Sequence, residues 1–430
     1  MDSYQHKNTL QQFFFNPLHE VYFRSDHQFD CPVISDIDYL MMGITRCIES
    51  EQSGNGFLQY YRKENGQKVE VGHFFEAIKS KRRLTNITSV NHLLGEYMKR
   101  NVTDELASID ELKKWQIFAA DGHYHQAALF DAKTKADTSA KEPSKTPTGH
   151  FFRINMRNHY LDYLDLAQPK DGKKSEHDMK MLKRQNLEDL RTHAIKGQKV
   201  LYVWDKACID YGFWMKAKSQ KGIYFSTLEK SNSSAKTIRT HTEIDYTDKR
   251  NDGIYSDEIV ATSGGYELRR IIYTNPADGN RYSYLTNDLS LPAWVHVLVY
   301  KHRWDIEKTF DTFKTKLNEK RSWASSITAK KTHALFLCLT HNLMLIQEEH
   351  FRHNEGLSDK IEEKKKQIRE KTRVTGSAKK YKDNFINTFF QRASQRTFRY
   401  VRWLRNSLRF QVSYEESLID LAYVWGGKLT

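Results

Sequence analysis

The sequence predicts an α/β protein in which a sheet lies between two helical regions. Up to about residue 110, apolar residues recur every three or four positions, which is typical of helices. From residue 115, short apolar segments ended by turn residues are typical of strands, and helical spacing returns after Pro292. With 430 residues, the chain exceeds the size at which one hydrophobic core keeps growing, so we expect several packed units.

These changes of pattern divide the chain into five predicted segments. We expect a helical N-terminal region at 1–110, a first α/β core segment at 111–229, a β-rich insertion at 230–291, a second core segment at 292–350 and a helical C-terminal region at 351–430. The insertion is predicted because "DEIVATS", "YELRRIIYT" and "RYSYLT" are separated by Gly, Asn and Asp turns.

Within the first core segment, each apolar stretch predicts one element. "WQIFAADG", "QKVLYVWDK" and "GIYFSTLEK" predict single strands, and "GHFFRINMRNHYLDYLDLA" is long enough for a hairpin. "SEHDMKMLKRQNLEDLRTHAI" predicts a helix that opens on a Ser cap and closes near Gly197. The polar stretch 131–149 predicts a mobile surface loop.

The charge balance favours a polyanionic partner. The chain has 68 Lys and Arg against 54 Asp and Glu, a net charge of +14, which suits nucleic acid. We expect a cytoplasmic protein, because the sequence has neither an 18-residue apolar run nor a signal-peptide core. The four cysteines stand far apart, so neither a disulfide framework nor a zinc finger is expected.

Two basic stretches are candidates for DNA contact. "KSKRRLTN" contains Lys81, Arg82 and Arg83, which could grip phosphates or form a solvated helix end. Residues 361–384 hold nine Lys or Arg against four Asp or Glu, which fits either a solvated helix or a second DNA contact.

A polar stripe is predicted in "YKHRWDIEKTFDTFK", residues 300–314. On one continuous helix, Tyr300, Arg303, Glu307 and Lys314 would share a stripe about 60° wide. An ion-pair ladder is the simple explanation, but Arg preceding Glu is the weaker order for such a pair. A carboxylate flanked by cations and a phenol also suits a metal ion beside a phosphate.

Two aspartates follow predicted strands. Asp121 ends "WQIFAAD" and Asp205 ends "VLYVWD". Each alone is more often a turn former. Together with Glu307 they supply the carboxylates that metal-assisted phosphoryl transfer draws from separate elements of a rigid scaffold.

With these residues in place, the stretch from about 115 to 350 resembles the catalytic region of bacterial insertion-sequence DDE transposases. Their last carboxylate lies in a Tyr-x2-Arg-x3-Glu-x6-Lys signature, which Tyr300, Arg303, Glu307 and Lys314 match without a gap. The resemblance implies a ribonuclease H-like catalytic core and two Mg²⁺ or Mn²⁺ ions held by Asp121, Asp205 and Glu307. It also implies phosphate contacts from Tyr300, Arg303 and Lys314.

Some positions leave alternatives open. The family pattern after the second Asp is met loosely by "DKACIDYGFW", with Lys206 in place of Arg, so Asp210 competes with Asp205. Trp304 matches the aromatic residue with which hairpin-forming relatives hold a flipped base, or is a core residue. Tyr282 or Tyr284 would be the second aromatic.

His123 and His125 follow Asp121 closely. They could be ligands or proton carriers, although polar loop histidines are commoner at such positions.

The resemblance predicts an enzyme that cuts the ends of an insertion sequence and joins the 3′-OH to target DNA. We expect it to act on terminal inverted repeats as a homodimer associated with the nucleoid, with the N-terminal region reading the repeats and the C-terminal region dimerising. A ribonuclease H-like nuclease without strand transfer and a non-catalytic DNA-binding protein are the alternatives.

Overall fold

The computed structural model of the chain describes residues 9–26, 28–29, 31, 33–50, 53–65, 69–133, 143–169, 176–206, 209–360, 364, 384–389 and 396–426. About half of the predicted mobile loop, residues 134–142, and nearly all of the basic stretch at 361–384 lie outside these residues.

One sheet runs through the described part of the chain. Its nine strands are β1 (Trp115–His125), β2 (Thr148–Asn155), β3 (Leu161–Leu166), β4 (Lys199–Val203), β5 (Ile223–Leu228), β6 (Lys236–Thr240), β7 (Ile254–Ala261), β8 (Glu267–Thr274) and β9 (Arg281–Thr286). They lie in the order β3-β2-β1-β4-β5-β9-β8-β7-β6. Strand β4 is parallel to β1 and β5, and the other pairs are antiparallel. The predicted strands and the hairpin are therefore present.

The β-rich insertion continues the core sheet. Strand β9 returns beside β5, with Ser226 opposite Thr286, and β8, β7 and β6 extend the sheet outward from it. An antiparallel meander can be added in this way because each of its strands completes the hydrogen bonds of the one before.

Alternate residues of the central strands face two different cores. Ile117 and Ala119 pack with the helical regions, whereas Phe118 and Ala120 face a second cluster. Side chains alternate across a strand, so this pattern places helices on both faces of the sheet. Asp121 follows Ala119 by two positions and lies on the face of the larger core.

The described helices are α1 (Leu10–Tyr22), α2 (Asp36–Ile48), α3 (Gly54–Asn65), α4 (Val71–Ala77), α5 (Lys81–Asn101), α6 (Asp178–Arg184), α7 (Tyr211–Lys221), α8 (Ala293–Lys301), α9 (Trp304–Lys316), α10 (Ile327–His353), α11 (Phe385–Thr388), α12 (Phe398–Arg409) and α13 (Tyr414–Val424). Helix α10 is the centre of the larger core and packs against α2, α5 and β3. The N-terminal and C-terminal regions meet there, where Leu10 N donates to Val412 O at 2.9 Å.

Two helix predictions need correction. The stretch 300–317 is not one helix, because α8 ends at Lys301 and α9 begins at Trp304. Tight i to i+3 bonds, such as Arg303 N to Tyr300 O at 3.0 Å, turn the chain between them. The helix predicted after the hairpin is also shorter, since α6 ends at Arg184 and only a 3₁₀ turn at Asp189–Arg191 follows.

Within the described residues, none of the helices is both long and apolar enough to cross a membrane. Cys31, Cys47 and Cys338 are free thiols, and Cys208 lies outside the described residues.

Candidate active site

The strand register brings Asp121 and Asp205 to the same level of the sheet. Ala119 of β1 is paired with Val203 of β4 in the parallel ladder, and each aspartate lies two residues further on. Neighbouring strands are about 4.8 Å apart, and residues two positions apart point to the same face. The register therefore brings both aspartates to the same edge region of two adjacent strands, and both act on the charge of Arg303.

Glu307 approaches this pair from helix α9 through an arginine. Arg303 Nη2 lies 2.9 Å from Glu307 Oε1, and Arg303 Nη1 lies 3.6 Å from Asp121 Oδ2. Arg303 is only 5% exposed. A single buried guanidinium therefore compensates carboxylates from β1 and α9, which the sequence separates by 186 positions.

Burial sets the electrostatics of this site. It raises the pKa of Asp121 to about 6, although the Gly122 N–H and Arg303 oppose the rise. Burial also acts to lower the pKa of Arg303, but Tyr300, Asp121 and Glu307 together raise it. The site thus holds an excess of negative charge that is poorly solvated and suited to a cation.

The other residues of the predicted stripe surround Arg303 in different ways. Tyr300 is buried near the end of α8, and its ring centroid is 5.7 Å from the guanidinium carbon of Arg303. Trp304 lies 5.9 Å from the same carbon but is 58% exposed, so it is not a core residue. Lys314 is exposed two turns beyond Glu307 on the same face of α9. The helix break, rather than one helical stripe, brings Tyr300 and Arg303 to Glu307.

Of the two tyrosines considered for base stacking, Tyr284 is buried and lies 5.3 Å from Tyr300, centroid to centroid. Tyr282 is half-buried.

Asp178 is a fourth carboxylate beside the site that the sequence analysis missed. It lies in the first turn of α6, and burial raises its pKa, with Asp205 adding to the rise. The negative charge of Asp178 also raises the pKa of Asp121. The sequence offered one signal for Asp178: it is an acidic residue near the start of the helix predicted between the hairpin and the strand that leads to Asp205.

Asp210 has a structural task of its own. It is the N-cap of α7, where its side chain accepts from Phe213 N at 2.9 Å, and it pairs with Lys183. These contacts account for Asp210 without catalysis. Asp205 instead lies two residues after the end of β4, with Lys206 exposed beyond it.

The basic stretch at the start of α5 is partly built into the fold. Arg82 makes a bidentate pair with Asp36 at 2.6 and 2.7 Å. Arg83 is 7% exposed and donates to Ile34 O at 2.6 Å. Their charges are therefore committed to intramolecular contacts, and Lys81 alone of the three is exposed.

His123 and His125 are not polar loop residues. Both lie on β1, are at most 2% exposed, and have pKa values lowered to about 3 by burial. The sequence analysis ended this strand at Asp121 and so missed both its continuation to His125 and its cover by α9 and α10.

The sequence analysis placed Asp121 at the end of its strand, but it lies within β1. A ribonuclease H-like sheet with one aspartate on a central strand, a second just past the adjacent parallel strand and a glutamate on a later helix is the architecture of DDE transposase cores. Comparison with protein families agrees, since residues 166–343 match the transposase DDE domain. This part of the chain is therefore similar to a DDE transposase domain, in agreement with the resemblance. The match begins after Asp121, so the assignment of Asp121 depends on the strand register.

A relative in Sinorhizobium fredii (strain NBRC 101917 / NGR234), named "Putative transposase y4zB", is 33% identical over 132 residues. The aligned segment covers 30% of this chain and 36% of that protein. This chain thus matches about a third of the length of that relative.

Proposed function

We propose that the protein is a DNA transposase that cuts the ends of an insertion sequence and joins the freed 3′-OH to target DNA. The observation that carries this proposal is the bridge that Arg303 makes between Asp121 and Glu307, beside Asp205 on the adjacent strand. The DDE domain match and the net charge of +14 support DNA as the substrate.

The residues fit a pair of divalent ions. Asp121, Asp205 and Glu307 would hold Mg²⁺ or Mn²⁺, since hard cations prefer carboxylate oxygen. DDE transposases use divalent metals, and the raised pKa of Asp121 reflects a site short of positive charge. When bound, the ions would supply the charge that activates water and stabilises the leaving oxygen.

The protein's own groups would position the DNA strand. Arg303 presents a buried, planar guanidinium that can pair with two phosphate oxygens. Lys314 adds an exposed point charge on the same helix. Trp304 offers an exposed ring to a base near the cut, because every base has a face on which an aromatic ring can stack.

Further DNA contacts belong to the same proposal. Lys81 is exposed at the start of α5 and would touch phosphates outside the active site. Transposition requires two ends to be handled together, and we propose a homodimer on the terminal inverted repeats.

End-labelled cleavage of DNA carrying the element's terminal repeats tests the proposal. Wild type should cut with Mg²⁺ and not with EDTA. Asp121→Asn, Asp205→Asn and Glu307→Gln should each lose on the order of 100-fold or more in rate, because each removes charge stabilisation specific to the reaction.

Asp210→Asn is the matched control and should keep cutting, since Asn also caps helices well. Joining of the cut 3′ end to a second DNA would exclude a simple nuclease. Binding of the ends without metal-dependent cutting would refute the catalytic assignment.

A further inference from the structure

Four histidines and a glutamate converge in the core next to the active site. The histidine cluster comprises His123, His125, His150, His333 and Glu319, each at most 2% exposed. Strand β1 contributes two of them at i and i+2, and β2 places His150 opposite His123. Glu319 follows α9, and His333 lies on α10. Four neighbouring elements therefore aim ionisable groups at one buried point.

Three members of the histidine cluster have the spacing of metal ligands. Glu319 Oε1 lies 2.9 Å from His123 Nε2 and 3.3 Å from His125 Nε2. The three ligand atoms all lie within 4.8 Å of one another. In a tetrahedral zinc site with bonds of about 2.0–2.1 Å, neighbouring ligand atoms are about 3.3 Å apart. Small side-chain movements would complete such a site.

The hydrogen bonding of the cluster is incomplete. Among the described residues, both ring nitrogens of His125 and of His333 lack a hydrogen-bond partner, as does Nε2 of His150. Leaving a buried polar group unpaired costs about 1–3 kcal/mol. A bound cation would be coordinated by His125 Nε2, the ring nitrogen that faces Glu319.

The surroundings hold these rings in place. His333 stacks on Trp323 with centroids 4.3 Å apart, and His125 lies between His333 and His150, at 5.0 and 4.2 Å. Fixed outer rings keep a ligand from rotating away, which is how a metal site is pre-organised.

We propose that His123, His125 and Glu319 bind one Zn²⁺ ion, with a water molecule as the fourth tetrahedral ligand. Two imidazoles and one carboxylate suit zinc, whereas the all-carboxylate active site suits Mg²⁺ or Mn²⁺. The two sites therefore select different ions although they share strand β1.

The position of the zinc site gives it a role in the active site. His123 lies two residues beyond Asp121 on β1, and its ring stacks on Phe310 of α9 at 4.5 Å. Glu319 follows the end of the helix that carries Glu307. Zinc would therefore tie α9 to β1 and hold Glu307 near Asp121. This positioning role, unlike the ion itself, rests on the proposed transposase function.

A second group of similar composition is a weaker candidate. His92, Glu96 and His193 also have close ligand atoms, but His92 is exposed and Lys99 Nζ lies 2.8 Å from Glu96. The ammonium group already supplies the positive charge there. This group provides a matched control.

The test is the metal content of the full chain, purified without chelator and dialysed against Mg²⁺. Mass spectrometry should find about one zinc ion per wild-type chain, the stoichiometry of a single tetrahedral site. His125→Gln and Glu319→Gln should lose the zinc, while His92→Gln should retain it. Co²⁺ exchanged into wild type should give the visible absorption of a tetrahedral site, which His125→Gln should lack.

The effect of zinc on the stability of the fold is measured with the wild-type protein alone. Removing zinc with 1,10-phenanthroline should lower the melting temperature, and added Zn²⁺ should restore it. Wild type that binds neither Zn²⁺ nor Co²⁺ would overturn the proposal, as would loss of zinc from His92→Gln with retention in His125→Gln. Glu307→Gln should keep its zinc while losing DNA cleavage, so the zinc result stands or falls independently of the proposed function.

Discussion

Asp121→Asn should make the metal-free protein more stable while abolishing catalysis. The Asp121 carboxylate is buried beside Asp178 and Glu307, and its charge is only partly offset by Arg303, 3.6 Å away. An Asn amide is isosteric, keeps an oxygen for the Gly122 N–H at 2.8 Å, and carries no charge. Arg303 retains Glu307 at 2.9 Å.

The size of this effect follows from the pKa of Asp121. Its rise from 3.8 to about 6 corresponds, at about 1.4 kcal/mol per pH unit, to about 3 kcal/mol of lost folding free energy at pH 8. The folded state holds the proton more tightly than the unfolded state, so this loss develops as the pH rises from about 4 to about 6. For 430 residues, an unfolding entropy of about 0.9 kcal/mol/K converts it to about 3 °C in melting temperature.

The assay is thermal unfolding of wild type and Asp121→Asn in EDTA at pH 4 and pH 8. The variant should melt higher by up to about 3 °C at pH 8 and by well under 1 °C at pH 4. Adding Mg²⁺ at pH 8 should raise the melting temperature of wild type more than that of the variant, because binding stabilises the state that binds.

A variant that melts at the wild-type temperature at pH 8, or that differs equally at both pH values, would refute the reasoning. Either result would mean that burial of the charged Asp121 carboxylate does not lower the free energy of unfolding. Asp210→Asn serves as the control, since the pKa of Asp210 is lowered by Lys183 and the Phe213 N–H acting against burial, and its loss should not stabilise the protein at pH 8.

Three further variants test other parts of the structure. Asp257→Ala should destabilise the protein by about 3–5 kcal/mol in urea unfolding, because it strands the buried guanidinium of Arg269, 2.7 Å away. Gly43→Ala should cost about 1–3 kcal/mol in the same assay, since its Cβ would lie 2.1 Å from the Phe336 ring. Asp178→Asn should move the acid limb of the pH profile for DNA cleavage to lower pH, because it removes a negative charge that raises the pKa of the carboxylate on β1.

Each of these three variants has a matched control variant. Glu267→Ala breaks the exposed pair with Arg239 and should change stability by less than about 1 kcal/mol. Gly72→Ala adds a Cβ that meets nothing within 4 Å and should be neutral or stabilising. Asp210→Asn should leave the acid limb of the pH profile unchanged. Equal effects within any of these comparisons would contradict the corresponding argument.

The sheet could be predicted from sequence because its strands are short apolar runs bounded by turns. The length of one apolar stretch marked the hairpin of β2 and β3, whereas the pairing of β1 with β4 was not predicted. The break between α8 and α9 was missed, since helical periodicity in 300–317 continues across it. What stops the helix is a set of i to i+3 bonds around Arg303, and no Pro or Gly marks them.

The two aspartates could be recognised, but neither the continuation of β1 past Asp121 nor the surroundings of the site could. Arg82 and Arg83 resembled a phosphate grip, yet their partners Asp36 and Ile34 are about 50 residues away in sequence. His123 and Glu319 are separated by 196 positions. Such partners are chosen by tertiary packing, which local spacing does not encode.

The pairing of β5 with β9 separates the evolution of the insertion from that of the active site. The chain leaves the core sheet after Leu228 and returns opposite it at Tyr284, so both ends of the insertion are held by the same ladder. Added or lost residues around β6 and β7, at the far edge of the sheet, would not move Asp205 on one side or Glu307 on the other. The extension can therefore change in length and shape while the positions of these acidic residues are kept.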